Sequence, residues 1–248
     1  MVVLATFAVY ARTLSFQFVF DDRPWLVENP ALHSWKYLPD YFTKHVWAGV
    51  YTSDVGNYYR PVFMLWMRLN VWLFGADPGG YHLVVVLLHV LATLLVYGLG
   101  RRISGDRALA LAAAAIFGLH PVHIESVAWI LGSTDSLAAV FLLSSFLCWD
   151  RSRDSVAHRG RWLAASWALF AIGLLAKETA LLFPLLLIGH VWAVHEGTWD
   201  RSGILKTLRE SLRSAGPYVA IMIPYLVVRW QVLHGFSHPS TAVTWSSL

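Results

Sequence analysis

Apolar runs alternate with short polar breaks along the whole chain. The first covers residues 2 to about 20, with Arg12 inside it; six more cover 81–100, 108–119, 136–149, 162–176, 179–194 and 217–233. A helix needs roughly 20 mostly apolar residues to cross the hydrocarbon core of a bilayer. The pattern predicts an all-α multi-span membrane protein, a helical bundle with about seven transmembrane segments. Segments three to five are short for a full crossing, so their polar ends are expected to be embedded in protein or to line a wet cavity. Arg12 breaks the first run, and the natural helix is expected to begin upstream of it.

Residues 21–80 separate the first two runs and form the predicted first outer loop. Pro24, Pro30 and Pro39 punctuate it. The stretch 34–47 mixes Trp35, Tyr37, Leu38, Tyr41 and Phe42 with Lys36, Asp40 and Lys44, which predicts a short helix lying in the membrane interface. Arg60-Pro61 then opens a helix over 61–74, whose Arg68 and Asn70 predict a half-buried position. Between segments six and seven, Ile204, Leu205, Leu208 and Leu212 line one helical face, while Lys206, Arg209, Glu210 and Arg213 lie off it.

Composition agrees with this reading. The chain is 57% hydrophobic and 14% charged, against roughly 25% charged in ordinary soluble domains. Its 13 Trp, 10 Tyr and 13 Phe suit interfacial belts. A net charge of +4 is too small for a nucleic-acid footprint, and no nucleic-acid partner is expected. Cys148, the only cysteine, can form no intrachain disulfide. No repeat of 20–50 residues occurs.

Charge asymmetry then sorts the ends. The breaks after segments two, four and six hold most of the Arg and Lys outside the first loop, which places them in the cytoplasm by the positive-inside rule. The other ends are then extracytoplasmic. They carry Asp21-Asp22, Tyr59-Arg60-Pro61, His120-Pro-Val-His123-Ile-Glu125, Asp135, Lys177-Glu178, and His234 with His238. All polar clusters that are not plain basic loops fall on one face, which predicts a single site there.

Each cluster has two readings. Asp21-Asp22 is a solvated turn with a helix cap, or a general base with a supporting carboxylate or metal ligand; adjacent like charges raise one pKa. His120, His123 and Glu125 are interfacial residues, or ligands for a divalent metal or a phosphate; their spacing is not that of a zinc protease. Arg60 binds a phosphate or carboxylate, or pairs with Asp21 or Asp22. Lys177 and Glu178 satisfy one another, or Lys177 neutralises an anionic leaving group. Asp135 joins the site or favours the dipole of its helix start. His82 and His89, on one face of segment two, read as packing residues.

These motifs, in order, carry a resemblance. Phe18-Val19-Phe20-Asp21-Asp22 with Glu28-Asn29-Pro30, then Tyr59-Arg60-Pro61, His82-Leu83 with His89, the run from Phe117 through His120-Pro121-Val122-His123-Ile124-Glu125 to Ala128, and Ala176-Lys177-Glu178-Thr179 resemble the transmembrane and tetratricopeptide-repeat (TPR) O-mannosyltransferases and their bacterial relatives, class C (GT-C) glycosyltransferases. The resemblance covers about residues 16–187. It implies a GT-C-like catalytic membrane portion, residues 1–248, at the N-terminal side of a longer protein with more spans and TPR repeats. It also implies transfer of a sugar, typically mannose, from a polyprenyl- or dolichyl-phosphate to a protein Ser or Thr hydroxyl on the extracytoplasmic face of a bacterial inner membrane or the endoplasmic reticulum. Asp21 and Asp22 match the family's catalytic carboxylates. Arg60, His120, His123 and Lys177 are then expected at the donor phosphate, supported by Tyr59, Glu125, Asp135 and Glu178, with a divalent ion held by His120, His123 and Glu125 as an option. Two departures stand out. The chain has no TPR repeats, and it reads Leu131-Gly132-Ser133-Thr134-Asp135 where many relatives have Gly-Arg-x-Asp. The competing expectations are a lipid or solute transporter, and a non-catalytic membrane anchor for a TPR domain.

Overall fold

The computed structural model describes residues 1–48, 50, 58–195, 197 and 199–233. His234 and His238 lie outside the described residues. Among the described residues the chain is helical, without a β-sheet.

Helix α1, Val2–Tyr10, tightens into a 3-10 turn over Ala11–Ser15 and then becomes extended. The first outer loop folds on itself. A π-helical turn at Arg23–Val27, 3-10 turns at Pro30–Leu32 and Trp35–Tyr37, and the single helical turn α2, Asp40–Thr43, replace the interface helix expected over 34–47. The reason is local chemistry. Asn29 and Ser34 accept bonds from the Ala31 and Lys36 N–H groups, and Pro30 and Pro39 interrupt any longer ladder. Trp25, Leu26 and Leu32 are fully buried and pack with Tyr41, Phe63, Met67 and Tyr81. The loop therefore forms a small core over α3, Pro61–Phe74. Arg68 and Asn70 of α3 are buried more deeply than the half-buried position expected; the Arg68 guanidinium lies 4.5 Å over the Trp35 ring and the Asn70 amide donates to the Trp66 carbonyl.

Helix α4, Pro78–Ser104, is capped by Asp77 and stopped by Gly105 at φ +68°, a left-handed conformation that suits glycine. Asp106 then caps α5, Arg107–Leu119, through the Ala108 and Leu109 N–H groups. The two helices lie close because Gly100 meets Ala110, where an added Cβ would come 3.0 Å from the Ala110 Cα. Pro121 ends α5, with His120 extended before it. The chain turns through 44° into a 3-10 turn, Pro121–His123, and α6, Ile124–Ala128. A further 3-10 turn, Leu131–Ser133, leads into α7, Thr134–Asp154.

Helix α8, Arg159–Ala176, returns antiparallel along α7. A 3-10 turn, Glu178–Leu182, joins it to α9, Phe183–Ala193. Helix α10, Arg201–Leu233, fuses the amphipathic stretch and segment seven into one helix that runs through Pro217 and Pro224. Ser145, Ser166 and Tyr218 tie α7, α8 and α10 together by buried hydroxyl bonds, Ser145 to Ser166 at 3.0 Å and Ser166 to Tyr218 at 2.6 Å.

Among the described residues, 3 helices can cross a membrane by length and composition: α4, the stretch Leu131–Asp154 containing α7, and α10. The bent pair α5–α6 brings the number up to 4. Val2–Ser15, Pro61–Phe74 and Glu178–Ala193 are apolar but shorter. The structure thus supports the all-α membrane fold, with fewer full-length spans than the seven runs predicted, because several runs are partial helices packed against longer ones.

Candidate active site at one end of the bundle

The acidic pair sits in a strained turn. Phe20 adopts φ +51°, the left-handed region, which a non-glycine residue enters at a cost of about 1–2 kcal/mol. This reversal lets the Asp22 N–H donate to the Val19 carbonyl at 3.0 Å and turns the two carboxylates apart. Asp22 is fully buried. One of its oxygens accepts from the Val19 N–H at 3.1 Å, the other from the Leu131 N–H at 3.3 Å. Burial pushes its pKa up to about 6, although these two backbone donors pull the other way. Asp21 is half-buried, and its Oδ1 is shielded from solvent without a hydrogen-bond partner.

The bond to Leu131 fastens the first loop to the entry of α7. Four residues on, Asp135 in the first turn of α7 holds the Lys177 ammonium at 2.5 Å. Next to it, Glu178 receives the Arg60 guanidinium in a two-point fork, Nε to Oε2 at 2.9 Å and Nη2 to Oε1 at 2.5 Å. Burial alone would raise the Glu178 pKa, but the hydrogen bonds and charge of Arg60 outweigh it and the net shift is downward. Arg60 also lies over the Tyr58 ring at 4.2 Å. Tyr59 is buried, its hydroxyl donating to the Phe42 carbonyl. Asp22, Asp135, Lys177, Glu178 and Arg60 therefore form one continuous chain of bonds and neighbouring residues.

Two sequence alternatives are corrected here. Arg60 pairs with neither Asp21 nor Asp22, and Lys177 and Glu178 do not satisfy each other. Each of the last two reaches across to another element, because the extended backbone at Lys177 (φ −156°, ψ 137°) separates the end of α8 from the turn that follows.

The histidines form a neighbouring group. His120 caps the Pro121–His123 turn, its Nδ1 accepting from the Val122 N–H at 3.1 Å, and its carbonyl accepts from the Tyr10 hydroxyl. The His123 ring lies 4.5 Å from Phe117 and 5.1 Å from His89. His89 is buried, edge-on to Tyr10 at 5.1 Å and bonded to the Gly118 carbonyl, and His82 is fully buried, as packing residues should be. His120 and His123 also line an apolar groove of about 560 Å³ between α4 and α5, with Val96, Ile116 and Phe117. Glu125 is exposed. Among the described residues no three His, Cys, Asp or Glu side chains converge as a metal site, so His120, His123 and Glu125 do not fit a three-ligand ion.

A family profile described as dolichyl-phosphate-mannose-protein mannosyltransferase matches residues 59–230. The chain belongs to that family. The mannosyltransferase match begins at Tyr59 and so includes Arg60, the histidine block, Asp135, Lys177 and Glu178, but not the acidic pair. Among curated proteins, the chain is similar to human "Protein O-mannosyl-transferase TMTC1", 34% identical over 183 residues, or 69% of this chain and 21% of that protein. It is 38% identical to Drosophila melanogaster "Protein O-mannosyl-transferase Tmtc2" over 71% of this chain and 19% of that protein. Against human "Protein O-mannosyl-transferase TMTC4" the identity is 32%, over 73% and 28%. The chain thus spans about a fifth to a quarter of the length of these relatives. No solved structure matches it significantly. Apolar helices and family together make this mannosyltransferase relative an integral membrane protein.

The Arg60–Glu178 and Lys177–Asp135 pairings are what sequence reasoning missed. Their signal was present: Arg60, Asp135 and the Lys177-Glu178 pair all fall on the same predicted face. The partner choice was not readable, because it depends on how α3 and α7 sit against the end of α8.

Proposed function

We propose that this chain is the membrane portion of an inverting glycosyltransferase that moves mannose from a dolichyl- or polyprenyl-phosphate to a Ser or Thr hydroxyl of a protein. The curated relatives carry protein O-mannosyl-transferase names, which supports this reading. The observation that carries it is the unlike state of the two carboxylates. Asp22 has both oxygens engaged by backbone N–H groups and acts as the positioning residue. Asp21 keeps a shielded oxygen without a partner, free to accept a proton.

In the proposed reaction the acceptor hydroxyl oxygen attacks the anomeric carbon while its proton passes to Asp21 Oδ1. The bond from the anomeric carbon to the phosphate oxygen breaks on the opposite side, and the lipid phosphate leaves with the electron pair. His120 and His123 stand where an apolar groove meets a polar end, a setting that fits a lipid phosphate with its hydrocarbon tail in the groove. Lys177 and Arg60 supply positive charge against the negative charge that the leaving phosphate develops. Asp135 and Glu178 hold these cations in place before the donor arrives. The reacting face is extracytoplasmic, the face opposite the basic loops.

The test uses the full-length protein in membranes, supplied with labelled mannosyl-phosphate lipid. Asp21→Asn is expected to cut label transfer to protein by about 10²–10⁴-fold, with insertion and expression retained. Full activity in both Asp21→Asn and Asp22→Asn ends the proposal. Label that crosses the bilayer as intact lipid-sugar, without appearing on protein, points to transport instead.

A further inference from the structure

A cavity lies at the other end of the bundle from the acidic pair. It has a volume of about 740 Å³ and lies between the end of α7, the start of α8 and the first half of α10. Arg159, Lys206, Arg209 and Arg213 line it, and none of them has a carboxylate partner among the described residues. The one acid in its wall, Glu210, is already taken by Arg153 at 2.8 Å. These four cations are exposed, so water and salt screen much of their repulsion, but together they make the cavity mouth strongly positive and attractive to an anion.

Two further observations point to a ligand. Trp167 lines the cavity and has an indole N–H that is shielded from solvent with no partner. Ser214 places a hydroxyl in the same wall, where the Ser202 hydroxyl is already donated to Asp200, while Leu163, Leu205 and Pro217 give it an apolar side. Cations, neutral donors and an apolar flank together suit a phosphate group joined to hydrocarbon. The position agrees. Helix α10 passes from its amphipathic half to its apolar half at Pro217, so the cavity opens where the helix meets the membrane boundary.

We propose that this cavity binds the phosphate group of an anionic phospholipid in the leaflet on the basic side of the protein. The site is separate from the donor site, since the 21-residue α7 lies between the two ends, a distance of about 30 Å at 1.5 Å per residue. Bound there, the headgroup would clamp α7, α8 and α10 together at their polar ends.

The full-length protein would be reconstituted in nanodiscs holding equal phosphatidylglycerol and phosphatidylcholine, and the co-purifying lipid measured by mass spectrometry after transfer to detergent. Preferential retention of phosphatidylglycerol is expected. Arg209→Gln/Arg213→Gln should weaken that retention by about 25-fold, roughly fivefold for each charge removed. Helical circular dichroism and elution volume check that the variant still folds. Leu212→Gln, which changes the exposed apolar face of α10 and not the cavity, should retain phosphatidylglycerol fully. Inorganic phosphate at tens of millimolar and constant ionic strength is the second arm: displacement of the lipid by it supports recognition of the phosphate group. Equal retention of both lipids, or a folded double variant that holds phosphatidylglycerol as well as the parent, overturns the proposal.

Discussion

Two carboxylates at the candidate site respond to pH in opposite directions. The folded pKa of Asp22, about 6, lies above the usual 3.8. The folded form therefore holds its proton more tightly than the unfolded one, so this group's contribution to stability falls as pH rises from about 4 to 6. The full effect is on the order of 3 kcal/mol at neutral pH, from two units at 1.36 kcal/mol each. Glu178 has a lowered folded pKa, so its contribution is present above the ordinary Glu range and is lost as pH falls. Melting in detergent between pH 4 and 7 should show a downward slope that Asp22→Asn removes; an unchanged slope in that variant would assign it to other groups. The same substitution leaves one N–H, of Val19 or of Leu131, facing an amide NH2, a local cost of about 1–3 kcal/mol. Asp21→Asn should lower stability by much less, since it removes no hydrogen bond made to its carboxylate. The sequence displayed this adjacent pair but not the division of labour between its members. That division comes from the left-handed Phe20 and from Leu131, more than a hundred residues away, and neither is written in the local pattern.

Helix starts and stops were the most legible elements. Pro61 and His120-Pro121 act through local chemistry, a fixed φ and a lost N–H, and the predicted start of α3 and stop of α5 fall there; the capping pairs Asp77-Pro78 and Gly105-Asp106 extend α4 beyond the predicted 81–100 at both ends. Pairings between elements were not legible, because they depend on where whole helices come to rest. The Arg60–Glu178 fork joins the start of α3 to the turn after α8, with side-chain exposures of 13% and 24%. At that depth, Glu178→Gln is expected to cost about 1–3 kcal/mol, between the values for exposed and for buried pairs. Arg60→Lys should recover little, since an ammonium cannot make the two-point contact. A double-mutant cycle on melting temperature measures the coupling, and additive single effects would contradict it. Helix packing offers a second test. Gly118 of α5 faces Thr6 of α1 and Thr93 of α4, and an added Cβ would lie 2.4 Å from the Thr6 hydroxyl. Gly118→Ala should push α1 away and lower stability by about 1–3 kcal/mol. A melting temperature equal to the parent's would mean that α1 is loosely held.

At the scale of the whole molecule, the separation of the charges rests on helix direction. Helices α7 and α8 are antiparallel, so the start of one and the end of the other meet at Asp135–Lys177. Helices α4 and α7 are parallel, so their far ends meet where Arg102 pairs with Asp150 at 2.6 Å and also with Asp154. One end thus gathers carboxylates paired with single cations beside an unpartnered aspartate oxygen; the other gathers arginines in excess. The positive-inside rule read the same division from loops alone, and it agrees here because short connections force neighbouring helices to alternate. The prediction is topological. In a Cys148→Ser background, Lys44→Cys, in the first loop, and Val156→Cys, 94% exposed between α7 and α8, should react with a membrane-impermeant maleimide from opposite faces. In sealed vesicles of right-side-out orientation, only the first should label until the membrane is opened. Labelling of both from one side would place the acidic pair and the basic cavity in the same compartment. The charge sorting would then owe nothing to the bilayer, and the extracytoplasmic site would have to be abandoned even with the helix packing intact.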